Sequence, residues 1–303
     1  MNMIQFELWK QCNNSCDFCW NKPYAQINNP KQKINRIHSA IENIDTLNTF
    51  EYDTIGLIGG EFFEGQLIDP CILDHFLCLI DRIAVLLQKE KIKQCLITAS
   101  FMKKDFSYLD MVVNRFKQHN CLDKVLWCTS YDEKGRFHTE EQRQIWFNNI
   151  ERFTKYGLQI HVEMIVTQAL IDSILNNSLN LAYFFEKDIN VDFLRPQVIE
   201  GKTKKEMIEK LPYFFPSRNS FLKFLNFIND NYPEKLRDLF SLENRARKIF
   251  MADESVVIRD SNNYIENTEK DVIMPCGHSK VFCGYSDTDG CMICDINRFK
   301  QDL

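Results

Sequence analysis

MIQFELWKQCNNSCDFCW, residues 3–20, carries a β-like run into a loop that holds three cysteines within eight residues. The run Ile4 to Trp9 reads as a strand, so Cys12, Cys16 and Cys19 lie just past its C-terminal end. Five further β-like runs follow: Thr54 to Ile58, Cys95 to Thr98, Val125 to Ser130, Leu158 to Thr167 and Val191 to Leu194. Between them, Ile72 to Lys89, Tyr108 to Gln118 and Glu140 to Tyr156 repeat apolar residues at three and four, as one face of a helix requires. Gly157 follows the last of these as a stop signal. Strands alternating with helices predict an α/β fold with a parallel sheet and right-handed crossovers. An open doubly wound sheet and a partial barrel both satisfy the pattern, and in either the loops at the C-terminal strand ends are where chemistry collects.

The 303 residues, 45% hydrophobic and 26% charged, suit one large domain or a domain with an appendage. A net charge of −5 with both signs interspersed provides no broad basic field, which makes nucleic acid an unlikely partner. The one short basic run, Lys202 to Lys205, reads as a solvated loop. Apolar runs are short, and MNMIQFELWK lacks a basic leader before a long apolar stretch, so a soluble, cytoplasmic chain without membrane association is expected. Past Pro196 the strands give way to a helical stretch, Phe221 to Met251, and from about Ser255 the chain reads as strand and turn. These shifts predict an α/β domain over 1–200, a helical connecting segment over 201–254 and a cysteine-rich lobe over 255–303.

Twelve cysteines are many for a chain of this size, and their placement argues for metal rather than for a disulfide scaffold. Five (Cys71, Cys78, Cys95, Cys121, Cys128) are scattered among apolar neighbours and are expected in the core, where a thiol behaves as a small hydrophobe. The three at the front are spaced so that one tight loop can wrap a soft-metal body, and thiolates select iron–sulfur or zinc. A structural zinc wants a fourth ligand nearby, and the next donors, His38 and Cys71, are far along the chain. Three thiolates on a four-iron cluster instead leave one iron open to a small molecule.

CNNSCDFC, with Phe18 before the third cysteine, resembles the CxxxCxxC signature of the radical S-adenosylmethionine (radical SAM) superfamily. The second strand runs into Gly59-Gly60-Glu61, which is similar to that family's GGE motif, with Phe62-Phe63 replacing the usual Pro-Leu or Pro-Thr after it. Thr129-Ser130-Tyr131-Asp132, continuing through Gly135, His138 and Arg143, looks like the "SLDG … H … R" passage of members with a SPASM or twitch extension. The resemblance covers roughly residues 3–200. It implies a partial (β/α)6 TIM-like barrel in which Cys12, Cys16 and Cys19 ligate a [4Fe–4S] cluster and SAM chelates the open iron. Reductive cleavage of SAM would then give a 5′-deoxyadenosyl radical that abstracts hydrogen from substrate, the protein supplying orientation. On the same basis Gly59, Gly60 and Glu61 are expected near the SAM ammonium, Ser130 and Arg143 near its carboxylate, and Glu163, Thr98 and Ser100 near its ribose and methionine parts. An external electron donor such as a flavodoxin or ferredoxin is implied.

The tail carries Cys276, Cys283, Cys291 and Cys294 with His278 among them. The density of donors predicts ligands rather than core. Cys276-Gly277 followed eighteen residues later by Cys294 is similar to the opening of the SPASM/twitch module, which holds auxiliary iron–sulfur clusters. The sequence runs nine residues past Cys294 without the usual downstream cysteines, so one site is expected there, a second iron–sulfur cluster or a zinc. Relatives with that module commonly modify peptides or proteins, which makes a peptidyl substrate the first expectation and a nucleotide, nucleic acid or small molecule the second. A zinc-stapled binding protein without catalysis is the reading of a different class. It accounts for both cysteine groups but not for GGE after the second strand.

Overall fold

The structure, a computed structural model, describes residues 3–19, 25–47, 52–187, 189–194, 196, 202–233, 246–250, 256–258, 292 and 295. Strands β1 (Met3–Glu7), β2 (Thr54–Ile58), β3 (Gln94–Thr98), β4 (Val125–Tyr131), β5 (Gln159–Ile165) and β6 (Asn190–Leu194) pair in parallel in chain order. Each lies within two residues of its expected bounds. Two more strands extend the sheet on the other side of β1. There β7 (Ala246–Phe250) pairs parallel with β1, and β8 (Val256–Ile258) pairs antiparallel with β7. The order is β6-β5-β4-β3-β2-β1-β7-β8, and among the described residues no pairing joins β6 to β8.

The helices α1 (Pro30–Asp45), α2 (Pro70–Gln88), α3 (Ser107–Gln118) and α4 (Glu140–Lys155) fill the first four crossovers. Of these α1 is the unexpected one, since only Ile37, Ala40 and Ile44 of its apolar residues are buried. Its start is nonetheless well specified by the Asn29 side chain accepting from Gln32 N and by Pro30 in the first turn. In α2, Asp69 caps the first turn and the stripe Ile72, Phe76, Leu79, Ile80, Ile83 and Leu87 is buried, worth roughly 1.5–3 kcal/mol for each large side chain. Thr139 caps α4, which buries Trp146, Ile150 and Phe153 and ends before Gly157 at φ +81°, a conformation that favours glycine. Short helices α5 (Gln168–Leu175) and α6 (Ala182–Phe185) lie between β5 and β6, with α7 (Lys204–Lys210) and α8 (Arg218–Asn231) beyond. The helical reading of Phe221 to Met251 is corrected: α8 stops at Asn231 and Ala246–Phe250 is strand. Five residues carry too little periodicity to declare a strand, and the exposed ladder of β1 is what recruits them.

Alternation along the strands gives the sheet two distinct faces. Ile4, Phe6, Ile55, Leu57, Ile97, Trp127, Tyr131, Val162, Met164 and Phe193 join the helix-side core. The opposite face carries a small cluster of Met3, Leu96, Leu126 and Cys128, and toward the C-terminal strand ends it turns polar with Ser130, His161, Glu163 and Asp192. Cys95, Cys121 and Cys128 are buried as expected, whereas Cys71 and Cys78 are exposed. They sit seven residues apart on α2, each one position ahead of a buried residue, Ile72 and Leu79, which turns both thiols outward by about 100°. No helix among the described residues is long and apolar enough to cross a membrane.

Candidate functional site

The cysteine loop leaves β1 and lies directly on the loop that leaves β2. Gly60 N donates to Trp9 O at 2.9 Å, Glu61 N donates to Gln11 O at 3.0 Å, and the Trp9 indole donates to Glu61 O at 2.9 Å. A Cβ on Gly60 would stand 2.1 Å from Gln11 O, and one on Gly59 would stand 2.5 Å from Trp9 O. The two glycines are therefore required by the approach of the backbone just before Cys12. Asn13 Nδ2 adds a bond to Glu64 O at 3.0 Å, and Cys12 N donates to Ala25 O at 3.0 Å. Lys33, in the first turn of α1, reaches Gln11 Oε1 and the face of Trp9, and burial holds its amine down at about 8.

Two carboxylates back this seam. Glu61 is buried, and its oxygens accept from Phe63 N at 2.9 Å and Ser100 N at 2.7 Å. Glu64 is held by Ser100 Oγ at 2.8 Å, with Lys103 Nζ 3.8 Å from its other oxygen. Burial pushes both carboxyls up, and the charge of Glu64 raises Glu61 further. The same pair, after burial, pushes the Cys12 thiol up to about 12, so that thiol keeps its proton at neutral pH until a cation takes its place. A narrow pocket of about 10 Å³ lies among Glu61, Phe63, Glu64, Ser100, Phe101 and Lys103.

The loop after β4 forms a second wall. Asp17 N donates to Gly135 O at 2.8 Å, and His138 Nε2 lies 3.0 Å from Ser15 O. Gly135 has φ +92° and faces Phe18, which stacks on Phe214 with ring centroids 5.5 Å apart. Tyr213 OH reaches Asp17 at 3.5 Å. Asp132 is fully buried here. Its Oδ1 accepts from Lys134 N at 3.1 Å, and its Oδ2 has no hydrogen-bond partner among the described residues. Burial pushes its carboxyl up to about 7, opposed by the Lys134 amide and Arg136 and assisted by Glu133 and Asp17.

Ser130 and Glu163 stand opposite each other in register on β4 and β5, and Glu163 stands opposite Asp192 on β6, all on the face away from the helices. His161, on that face, places Nε2 3.2 Å from Asp192, close enough for an ion pair but not aligned as a hydrogen bond. Thr98 Oγ1 donates to Leu57 O at 3.4 Å. Arg143 is not brought to Ser130. Its Nε donates to Tyr131 OH at 3.2 Å and its other nitrogens pair with Glu133 and Glu140, on the helix side of the sheet to which Tyr131 points.

Cys12 and Cys16 are buried and Cys19 is half-buried. Among the described residues no three His, Cys, Asp or Glu side chains converge on a single-ion position. A cubane cluster does not ask for that, because each thiolate binds a different iron. The donor set fits such a body: three soft donors on one loop, with Asn14 N donating to Cys12 Sγ at 3.4 Å. Cys276, Cys283, Cys291 and Cys294 lie outside the described residues. Beside them, Asp295 is buried and bound to Arg218 of α8 through two bonds of 2.8 and 2.7 Å. Sequence reasoning missed Glu64 and the His161–Asp192 pair, and it quoted Asp132 only as part of the passage after the fourth strand, without a role. Glu64 carries a signal only in its spacing of three from Glu61, and burial of the other residues depends on neighbours far along the chain. No family model matches this chain, and no match to it is found among curated proteins.

Proposed function

We propose that this chain is a radical SAM enzyme in which Cys12, Cys16 and Cys19 hold a [4Fe–4S] cluster with one iron open to SAM. In this reading the sheet is the wall of a partial (β/α)6 barrel and the polar face bearing Ser130, Glu163 and Asp192 is its lumen. The observation that carries the proposal is the backbone seam between the cysteine loop and Gly59-Gly60-Glu61, since it joins the two motifs that the resemblance pairs. Bound cluster and SAM would supply one-electron cleavage of the sulfonium and hydrogen-atom abstraction.

The chain's own residues bind and orient. Glu61 fixes the β2 and β3 loops through Phe63 and Ser100 and keeps lone pairs for an ammonium donor. Ser130 offers a hydroxyl to a carboxylate from the lumen face. The stacked Phe18 and Phe214 and the Asp17–Gly135 bond hold the second half of the cysteine loop against the β4 loop, which limits water at the site. A peptidyl substrate entering at the C-terminal strand edge and an electron donor of the flavodoxin or ferredoxin class complete the proposal. The tail cysteines hold one further cluster or a zinc.

Anaerobic reconstitution with iron and sulfide, then dithionite and SAM, tests it. The expected result is 5′-deoxyadenosine and about four irons per chain, or about eight with a second cluster. Protein that takes up only zinc and forms no 5′-deoxyadenosine overturns the proposal and favours a zinc-stapled binding protein.

A further inference from the structure

We propose that Arg136, on the loop after β4, is the residue of this site that binds a carboxylate. The inference rests on the radical SAM reading above, and it supplies a residue for the role that the sequence pattern gives to Arg143. Two ligands bring a carboxylate to the place where the β1, β2 and β4 loops meet. One is SAM, through its methionine part, and the other is the peptidyl substrate, through an acidic side chain or a C-terminus.

The chain on both sides of Arg136 is pinned to the cysteine loop. Gly135 O accepts from Asp17 N at 2.8 Å, and His138 Nε2 lies 3.0 Å from Ser15 O. A Cβ on Gly135 would stand 2.6 Å from Tyr213 OH and 3.1 Å from the Phe18 ring, so the turn that carries Arg136 has little room to shift. The Arg136 charge reaches both walls of the site. It opposes the rise that burial gives the carboxyl of Glu64, after β2, and that of Asp132, after β4. Arg136 is nevertheless half-buried with its Nε shut off from solvent, and among the described residues its guanidinium makes no hydrogen bond and no ion pair. A planar guanidinium that has given up part of its hydration is matched best by a carboxylate taken through two parallel N–H···O bonds.

Neighbouring cations are committed elsewhere. Lys33 reaches Gln11 and the face of Trp9, and Lys103 Nζ lies 3.8 Å from Glu64. Arg143 is held on the helix side by Tyr131, Glu133 and Glu140. Charge balance with Glu64 and Asp132 accounts for a cation at position 136, but it leaves the donors of the guanidinium without acceptors among the described residues. A ligand carboxylate supplies them.

The test uses full-length protein with its iron–sulfur centres loaded under anaerobic conditions. Wild type, R136M, R136K and K134A are compared by equilibrium dialysis against SAM and against decarboxylated SAM, with iron counted in every sample. R136Q replaces R136M if that variant loses iron. In parallel, modification of Arg136 by phenylglyoxal is followed by mass spectrometry with each ligand present. If the carboxylate is that of SAM, R136M is expected to bind SAM about 10- to 100-fold more weakly and decarboxylated SAM within about twofold of wild type. R136K, which keeps the charge without the fork, should fall between them, and SAM alone should slow the modification. If the carboxylate is that of the substrate, acetylated pentapeptides centred on Asp or Glu should slow it where those centred on Asn or Gln do not. K134A removes a positive charge from the same loop and is expected to match wild type. An equal loss in K134A would reduce the effect to local charge and overturn the proposal. Equal SAM affinity in R136M and wild type, with no protection of Arg136 by either carboxylate, overturns it as well. Iron-loaded wild type that binds no SAM fails instead the radical SAM reading on which the proposal stands.

Discussion

The amide of Gly60 donates to the carbonyl of Trp9 at 2.9 Å, stitching the loop after β2 to the loop after β1 three residues before Cys12. The same glycine lies too close to Lys10 and Gln11 for any side chain, since a Cβ there would stand 2.5 and 2.1 Å from their carbonyl oxygens. Gly60→Ala must therefore move backbone. It is expected to cost about 2 kcal/mol or more in urea unfolding and to lower iron uptake severalfold. Gly65→Ala is the control: at φ +90° with open space around it, only local strain of about 1 kcal/mol is expected, with iron uptake intact.

Cysteines in the loop and in the core should separate by readout. Cys16→Ala is expected to abolish iron-dependent SAM cleavage with little change in the melting temperature of the iron-free protein. Cys95→Ala, in a fully buried position, should lower stability by on the order of 1 kcal/mol while leaving iron content unchanged. Full SAM cleavage by Cys16→Ala would remove that residue from the ligand set.

Glu61 accepts two backbone amides inside the protein. Glu61→Gln turns an amide NH2 toward one of these donors, and a loss of roughly 1–3 kcal/mol is expected in denaturant unfolding. It also takes a negative charge away from Cys12, so alkylation of that thiol in the iron-free protein should quicken at a given pH. An unchanged alkylation rate at Cys12, followed by mass spectrometry, would refute the electrostatic part.

Asp132 gives a pH dependence whose sign is fixed by burial. Its folded value, about 7, lies above its ordinary 3.8, so the folded chain holds an extra proton between those limits. The stability tied to that proton is complete below the lower limit and is lost as pH rises through 7. Between pH 5 and pH 8 the iron-free wild type should lose on the order of 1–3 kcal/mol relative to Asp132→Asn. Parallel stability curves for the two proteins would show that Asp132 is ionised throughout.

Much of this was legible along the chain. The six parallel strands announce themselves as short apolar runs, and the helices with strong three-and-four periodicity as amphipathic faces, because both signals are local. The cysteine loop and Gly59-Gly60-Glu61 were readable as loops at the C-terminal ends of β1 and β2. Ser130 and Arg143 mark the limit of that reading: they sit in one passage, yet alternation puts Ser130 on the face away from the helices while Tyr131, one residue on, carries Arg143 to the helix side. Cys71 and Cys78 likewise have apolar neighbours in sequence and water as their neighbour in space, since one helical position is a rotation of about 100°.

Sequence alone determined the α/β alternation, the spacing of the front cysteines and the types of donor available, all of which follow from local periodicity and side-chain chemistry. Tertiary structure decided which of those residues meet. It set Gly59 and Gly60 against the backbone of the cysteine loop, buried Glu61, Glu64 and Asp132 so that their charges are disfavoured, recruited Ala246–Phe250 to the edge of β1, and brought His38 to His75. Each of these depends on chain segments tens of residues apart or more being held at van der Waals distance, and close packing across the sheet and helix layers supplies that where no local pattern can.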